Sequence, residues 1–142
     1  VATFKNGKIN GKAYEYYESG QLKLEENYAN GKNNGLSKSY YENGKLRSEE
    51  NYINGKLNGI SKSYYENKQL QDEIPYKNDK KEGIEKSYDE KGKLIGTITF
   101  ENNQIMEEVT YKDGKIIDRK AYPLGKDLEN ELLKNITPWQ FH

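Results

Sequence analysis

Tyrosine offers the most chemistry in this sequence, and it comes in pairs. Tyr16-Tyr17, Tyr40-Tyr41 and Tyr64-Tyr65 stand 24 residues apart, and Tyr88 continues the series with Asp89 in the second place. A phenol joins an apolar ring to a hydroxyl, a combination that protein interfaces favour. Two further groupings have residue types of catalytic centres: the adjacent carboxylates Glu25-Glu26, Glu49-Glu50 and Glu107-Glu108, and the runs Ser37-Lys38-Ser39 and Ser61-Lys62-Ser63. Adjacent residues on a strand point to opposite faces, so strands would separate each acid from its neighbour and each Lys from its Ser. Both groupings also recur, whereas an active centre is singular. The only histidine is His142 and cysteine is absent, which excludes a His-based triad, His or thiolate metal sites and disulfides. These residues predict binding without catalysis, metal or cofactor.

The elements that must carry the tyrosines repeat with the same period. Tyr28-Ala29-Asn30-Gly31-Lys32, Tyr52-Ile53-Asn54-Gly55-Lys56 and Tyr76-Lys77-Asn78-Asp79-Lys80 are in register; Phe4 precedes them by one period and Phe100 follows by one. A fixed period means one supersecondary unit stacked on copies of itself. Each unit contains two turn signals, Asn43-Gly44 and Asn54-Gly55 in the clearest copy, and so reads as two antiparallel strands in an all-β meander. A three-residue first loop, Glu42-Asn43-Gly44 with Gly44 left-handed, pairs Tyr40 with Leu46; a two-residue loop would pair Tyr41 with it. The apolar residues favour the three-residue loop. Strict alternation then puts Leu36, Tyr40, Leu46 and Tyr52 on one side, with Ser37, Ser39, Tyr41, Arg47, Glu49 and Asn51 on the other. The other copies add Tyr16, Leu22, Leu24 and Tyr28, then Ile60, Tyr64, Leu70, Ile74 and Tyr76, then Ile84, Tyr88, Leu94, Ile98 and Phe100 to the first side.

The repeat decays along the chain. Lys68 stands where Gly20, Gly44 and Gly92 stand, at a cost of about 1 kcal/mol for a left-handed non-glycine. Degeneration explains this more simply than strain stored for a ligand. Asp79 and Asn103 replace glycine at the second turn, Pro75 replaces Asn51, and Asp89 replaces the second tyrosine. Beyond Phe100 the aromatic spacing drops to 11, at Tyr111. From Asp127, a capping residue, Leu128, Leu132, Leu133 and Ile136 recur at helical spacing until Pro138, which predicts a short helix closing the sheet edge together with Trp139 and Phe141. The expected organisation is a repeat array over 1–122, about five hairpin units, and a capping helix and tail over 123–142.

Composition narrows the partners. Only 32% of the chain is hydrophobic, with 13 tyrosines, and 23 basic residues balance 23 acidic ones. With the signs interspersed there is no stripe to neutralise phosphates, which argues against nucleic acid. No apolar run approaches the ~20 residues of a membrane span. Val1-Ala2-Thr3 has neither Met nor a signal pattern; a processed terminus would place the protein at the surface or outside the cell, a trimmed one in the cytoplasm.

Tyr40-Tyr-Glu-Asn-Gly-Lys-Leu46, followed by Tyr52-Ile-Asn-Gly-Lys-Leu-Asn-Gly59, resembles the MORN-repeat variant, the form found in the bacterial YwqK-type antitoxin family. The likeness covers residue 4 to about 122, and the lysine- and asparagine-rich usage fits a bacterial origin. It implies a single-layer twisted antiparallel sheet acting as a binding or scaffolding module, antitoxin-like in some relatives. Such repeats also accompany phosphatidylinositol-phosphate kinases, but this chain has no room for a kinase domain and no phosphate loop. A single layer leaves an aromatic face accessible. The expected binding face is Tyr16, Tyr40, Tyr64, Tyr88, Tyr28, Tyr52 and Tyr76, best formed in the first three units, with Tyr17, Tyr41 and Tyr65 as the opposite-face alternative. The expected partner is another protein, the chain itself being a monomer or weak edge-mediated oligomer. A glycan or cell-wall ligand, and lipid head groups held by Lys32, Lys56 and Lys80, are the alternatives.

Overall fold

The computed structural model describes residues 2–123, which form one continuous antiparallel sheet. Its strands are β1 (Ala2–Lys5), β2 (Lys8–Tyr16), β3 (Leu22–Ala29), β4 (Lys32–Asn33), β5 (Gly35–Tyr40), β6 (Leu46–Ile53) and β7 (Lys56–Leu57). They continue as β8 (Gly59–Tyr64), β9 (Leu70–Lys77), β10 (Lys80–Lys81), β11 (Gly83–Tyr88), β12 (Leu94–Glu101), β13 (Gln104–Lys112) and β14 (Lys115–Ala121). The order is β1-β2-β3-β5-β6-β8-β9-β11-β12-β13-β14, with β4, β7 and β10 folded back on β3, β6 and β9. The expected helix from Asp127, with Trp139 and Phe141, lies outside the described residues.

Two kinds of turn build the unit. At the first, Tyr41 N donates to Lys45 O at 2.8 Å and Gly44 N to Tyr41 O at 2.9 Å, enclosing Glu42-Asn43-Gly44. Gly44 is left-handed, with φ 87°, and Lys68 takes the same conformation at 72°. The second turn is a two-residue loop with both residues left-handed: φ is 50° at Asn54 and 80° at Gly55. Asn and Asp tolerate this conformation, so Asn78-Asp79 and Asn102-Asn103 make the same turn without glycine. A third left-handed residue, Gly35 at φ 112°, returns the chain to full strand length, with Asn34 N bonded to Asn27 O at 2.8 Å. Pro75 sits opposite the corresponding irregularity, its carbonyl accepting from Glu82 N at 3.1 Å, as a residue without a donor can. Past Phe100 the third device is missing. The turns at Asn102-Asn103 and Asp113-Gly114 join full-length strands directly, which explains the shorter aromatic spacing.

Tyr40 pairs with Leu46, Tyr16 with Leu22, Tyr64 with Leu70 and Tyr88 with Leu94, as the three-residue loop requires. The face grouping beyond these pairs is different from the expected one. Ser39 pairs with Ser48, so Arg47 is an extra residue in a bulge, as are Lys23, Gln71 and Ile95 in the other units. A bulge inverts the alternation that follows it. Tyr52 therefore pairs with Gly35 and lies opposite Tyr40. Tyr28, Tyr76 and Phe100, with Leu24, Ile74 and Ile98, cross over in the same way, while Glu49 and Asn51 join Tyr40. Two hydrogen bonds agree: Tyr52 Oη donates to Glu50 Oε2 at 2.7 Å, and Tyr64 Oη to the neighbouring Glu49 Oε1 at 3.1 Å.

Packing is thin. Among the described residues the buried apolar side chains are Phe100 and Val109, 8% and 5% exposed, so each unit depends on the units beside it. Hydrogen bonds lace the units together along one margin. Gly31 N reaches Ile9 O at 2.9 Å, Gly55 N Asn33 O at 2.7 Å, Asp79 N Leu57 O at 2.9 Å and Asn103 N Lys81 O at 2.8 Å. Each second turn is thereby clamped to the unit before it.

Candidate interaction surface

The face carrying Tyr40 has three rows running across the strands. Along the first-turn margin, the pairs Tyr16–Leu22, Tyr40–Leu46, Tyr64–Leu70 and Tyr88–Leu94 lie in succession, and Tyr111–Ile116 continues them. The middle row alternates charge: Glu25, Lys38, Glu49, Lys62, Glu73 and Lys86 are successive cross-strand neighbours. The third row is Leu36, Ile60 and Ile84, in which Ile60 and Ile84 are 49% and 51% exposed. Tyrosines of adjacent units are two ladder steps apart, about 9.6 Å at ~4.8 Å per step. The leucine between them fills the gap, and Tyr40, Leu46 and Tyr64 line an open depression of about 590 Å³ with Asn43, Gly44, Lys45 and Lys68. A second depression, of about 410 Å³, forms where Leu94 meets Tyr111.

The middle row is held from both sides. Glu49 accepts from Tyr64, and Glu73 accepts from Tyr88 at 3.3 Å. Glu25 pairs with Lys12 at 3.4 Å. Burial raises the pKa of Tyr64, the bond to Glu49 adding to it; for Tyr88, burial and then the charge of Glu73 do the same. Tyr16 is 53% exposed at the start of the stripe.

On the opposite face the aromatics serve the fold. Tyr28, Tyr52, Tyr76 and Phe100 pair with Gly11, Gly35, Gly59 and Gly83, so each ring has bare backbone beside it to cover. Tyr28 Oη donates to Glu26 Oε2 at 2.7 Å, a bond that raises its pKa first of all; burial leads for Tyr52 and Tyr76. Tyr17, Tyr41 and Tyr65 are staples between units. Their hydroxyls donate to the carbonyls of Tyr40, Tyr64 and Tyr88 at 2.6, 2.5 and 2.8 Å. Arg47 stacks over Tyr41, 5.8 Å from the ring centre. The staple ends at Asp89, whose Oδ1 closes its own turn by accepting from Lys91 N and Lys93 N, both at 2.9 Å.

The structure thus brings Tyr16, Tyr40, Tyr64 and Tyr88 together and separates them from Tyr28, Tyr52 and Tyr76. Sequence reasoning missed the charged row, although Glu25, Glu49 and Glu73, and Lys38, Lys62 and Lys86, recur at the 24-residue period. It missed Tyr111–Ile116 because the period breaks there. Among the described residues no group of acidic, His or Cys side chains could hold a metal ion, and no helix is long and apolar enough to cross a membrane.

The model of the MORN repeat variant matches residues 9–30, 33–54, 57–78 and 81–102. The chain belongs to the MORN repeat variant family. Each match spans one first turn and the strands around it. MORN repeats are generally modules for binding proteins or lipids. No curated protein matches the chain. Among solved structures, one described as "Crystal structure of GtfA/B complex bound to UDP and GlcNAc" is similar at 13% identity, with TM-score 0.31. The likeness covers 83% of this chain and 23% of that one.

Proposed function

We propose that this MORN repeat variant protein is a non-catalytic interaction module that docks a partner protein on the face carrying Tyr40. The observation that carries this reading is the stripe of alternating tyrosine and aliphatic side chains, which no other element among the described residues covers, bordered by the charged row. Exposed apolar side chains grouped on one face mark interaction sites; Tyr16, Ile60, Ile84 and Ile116 on this face are each about half exposed, and the opposite aromatics are already engaged within and between units. Neutralising a target by covering its surface, as an antitoxin does, is one form such docking would take.

Capture of a partner from the source cell by the wild-type chain, by Leu46→Glu with Tyr64→Ala, and by Arg47→Glu on the other face tests the proposal. A stoichiometric protein retained by wild type and by Arg47→Glu, and lost by the stripe variant while its strand circular dichroism persists, supports it. Capture of nothing, or equal capture by all three, rejects it.

A second reading rests on the second-turn margin, where Lys8, Lys32, Lys56 and Lys80 are exposed in successive units. A lysine near an anionic membrane contributes about 1 kcal/mol, so this row favours lipid head groups. Sedimentation with phosphatidylserine vesicles checks it: binding that fades with salt and with Lys32→Glu, Lys56→Glu and Lys80→Glu is expected, and no binding at low salt removes this reading.

A further inference from the structure

The middle row of the Tyr40 face takes one residue from each of six successive strands: Glu25, Lys38, Glu49, Lys62, Glu73 and Lys86. Tyr14 on β2 precedes it and Thr97 on β12 follows it, so the alternation is bounded inside the sheet. A row of this kind, reversed end to end, becomes its own complement. A two-fold axis parallel to the strands, between Glu49 and Lys62, turns the face of one copy onto that of another and reverses the row. Glu49 then meets Lys62, Lys38 meets Glu73 and Glu25 meets Lys86, each pair occurring twice, as in any isologous contact. The same rotation lays the stripe on itself so that tyrosine meets leucine, Tyr64 on Leu46 and Tyr40 on Leu70. An axis along the row would instead set every charge against its own copy.

The lysines of the row are unspent within the chain. Each stands beside glutamates on the neighbouring strands, yet among the described residues Lys38, Lys62 and Lys86 make no ion pair. Glu49 and Glu73 are meanwhile held in place by Tyr64 and Tyr88. We infer that the Tyr40 face pairs with a second copy of this chain, two-fold and face to face, when no other protein occupies it. This occupant rests on the proposed reading of that face as an interaction surface. Strands of the two copies lie along one another, the aligned arrangement in which twisted sheets pack about 10 Å apart. From Tyr16 to Leu94, and from Tyr40 to Leu36, the contact measures about 34 by 13 Å. That is smaller than the standard ~800 Å² per partner, so the dimer is weak and yields the face to a tighter partner.

Sedimentation velocity of the whole chain at low salt, from about 1 μM to about 1 mM, reads the association. Wild type is expected to pass from monomer to dimer across this range, and added salt to weaken the dimer. Glu49→Lys sets like charges against each other at both central contacts and should weaken self-association at least about tenfold, as should Lys62→Glu. Mixed together, these two variants regain opposite charge at every contact of the row and should dimerise as wild type does. Glu49→Lys mixed with Lys38→Glu carries the same charges but keeps two like pairs, and should stay monomeric. Circular dichroism checks that each variant folds; if Glu49→Lys does not, Glu73→Lys mixed with Lys38→Glu reads the same complementation. A dimer that Glu49→Lys leaves intact, as contact between sheet edges would, or equal rescue by Lys38→Glu, would overturn the inference. So would a wild type that stays monomeric; if it still captures a different protein through the stripe, the second copy fails as occupant while the role of the face stands.

Discussion

The face carrying Tyr40 and the face carrying Tyr52 are built from nearly the same residues and use them differently. On the Tyr52 face, rings cover glycine backbone and phenols bind carboxylates two residues away or carbonyls of the next unit. On the Tyr40 face, Tyr and Leu alternate in a stripe that no second layer among the described residues covers, and the apolar third row stays half exposed. A single-layer repeat can devote one face to cohesion and keep the other for a partner. The switch is one residue, the bulge at Arg47 and its equivalents, which sends the rest of the strand's side chains to the opposite face.

The largest way to break this comparison is to remove a ring from the cohesive face. Phe100→Ala should lower unfolding free energy by about 3 kcal/mol, measured by urea denaturation. Leu70→Ala on the stripe should cost about 2 kcal/mol, at the low end for a leucine because one layer buries less. A Leu70→Ala loss as large as that of Phe100→Ala would erase the distinction. Deleting one hydroxyl is a finer probe. Tyr41→Phe should cost about 1 kcal/mol through the lost staple, whereas Tyr16→Phe, which has no corresponding bond among the described residues, should cost nothing measurable.

Alkaline titration comes next. The phenols of Tyr28, Tyr52, Tyr64, Tyr76 and Tyr88 are held above the ordinary value of 10.0. Above that pH the unfolded chain sheds protons that the folded chain keeps. Stability from these groups is therefore complete below about pH 10 and declines as pH rises further. Tyrosinate absorbance should show these five phenols ionising late in the folded chain and at the ordinary value once it is unfolded. One substitution should be a gain: Lys68→Gly should stabilise by about 1 kcal/mol by relieving the left-handed lysine.

Much of the fold was legible. Repeating Tyr and Asn-Gly pairs set the unit, and the loop at Gly44 set the Tyr40–Leu46 pair. The face of Tyr52 was not legible, because nothing in Leu46-Arg47-Ser48 announces a bulge and strict alternation gives a plausible apolar side. Gly35 carried the missing signal, since a glycine in every unit opposite an aromatic leaves room for a ring. The candidate stripe was half legible for the same reason: Tyr16, Tyr40, Tyr64 and Tyr88 lie before the bulge, and Tyr28, Tyr52 and Tyr76 after it. The staples of Tyr17, Tyr41 and Tyr65 depend on carbonyls 23 residues away, a relation between units that side-chain patterns within one unit do not contain.

Double-mutant cycles that pair Tyr52→Phe with Glu50→Gln and with Glu49→Gln test the division of faces most directly. Folding stabilities should couple by about 1 kcal/mol for Tyr52 with Glu50 and by nothing measurable for Tyr52 with Glu49. Coupling to Glu49 in place of Glu50 would return Tyr52 to the Tyr40 face and contradict the account.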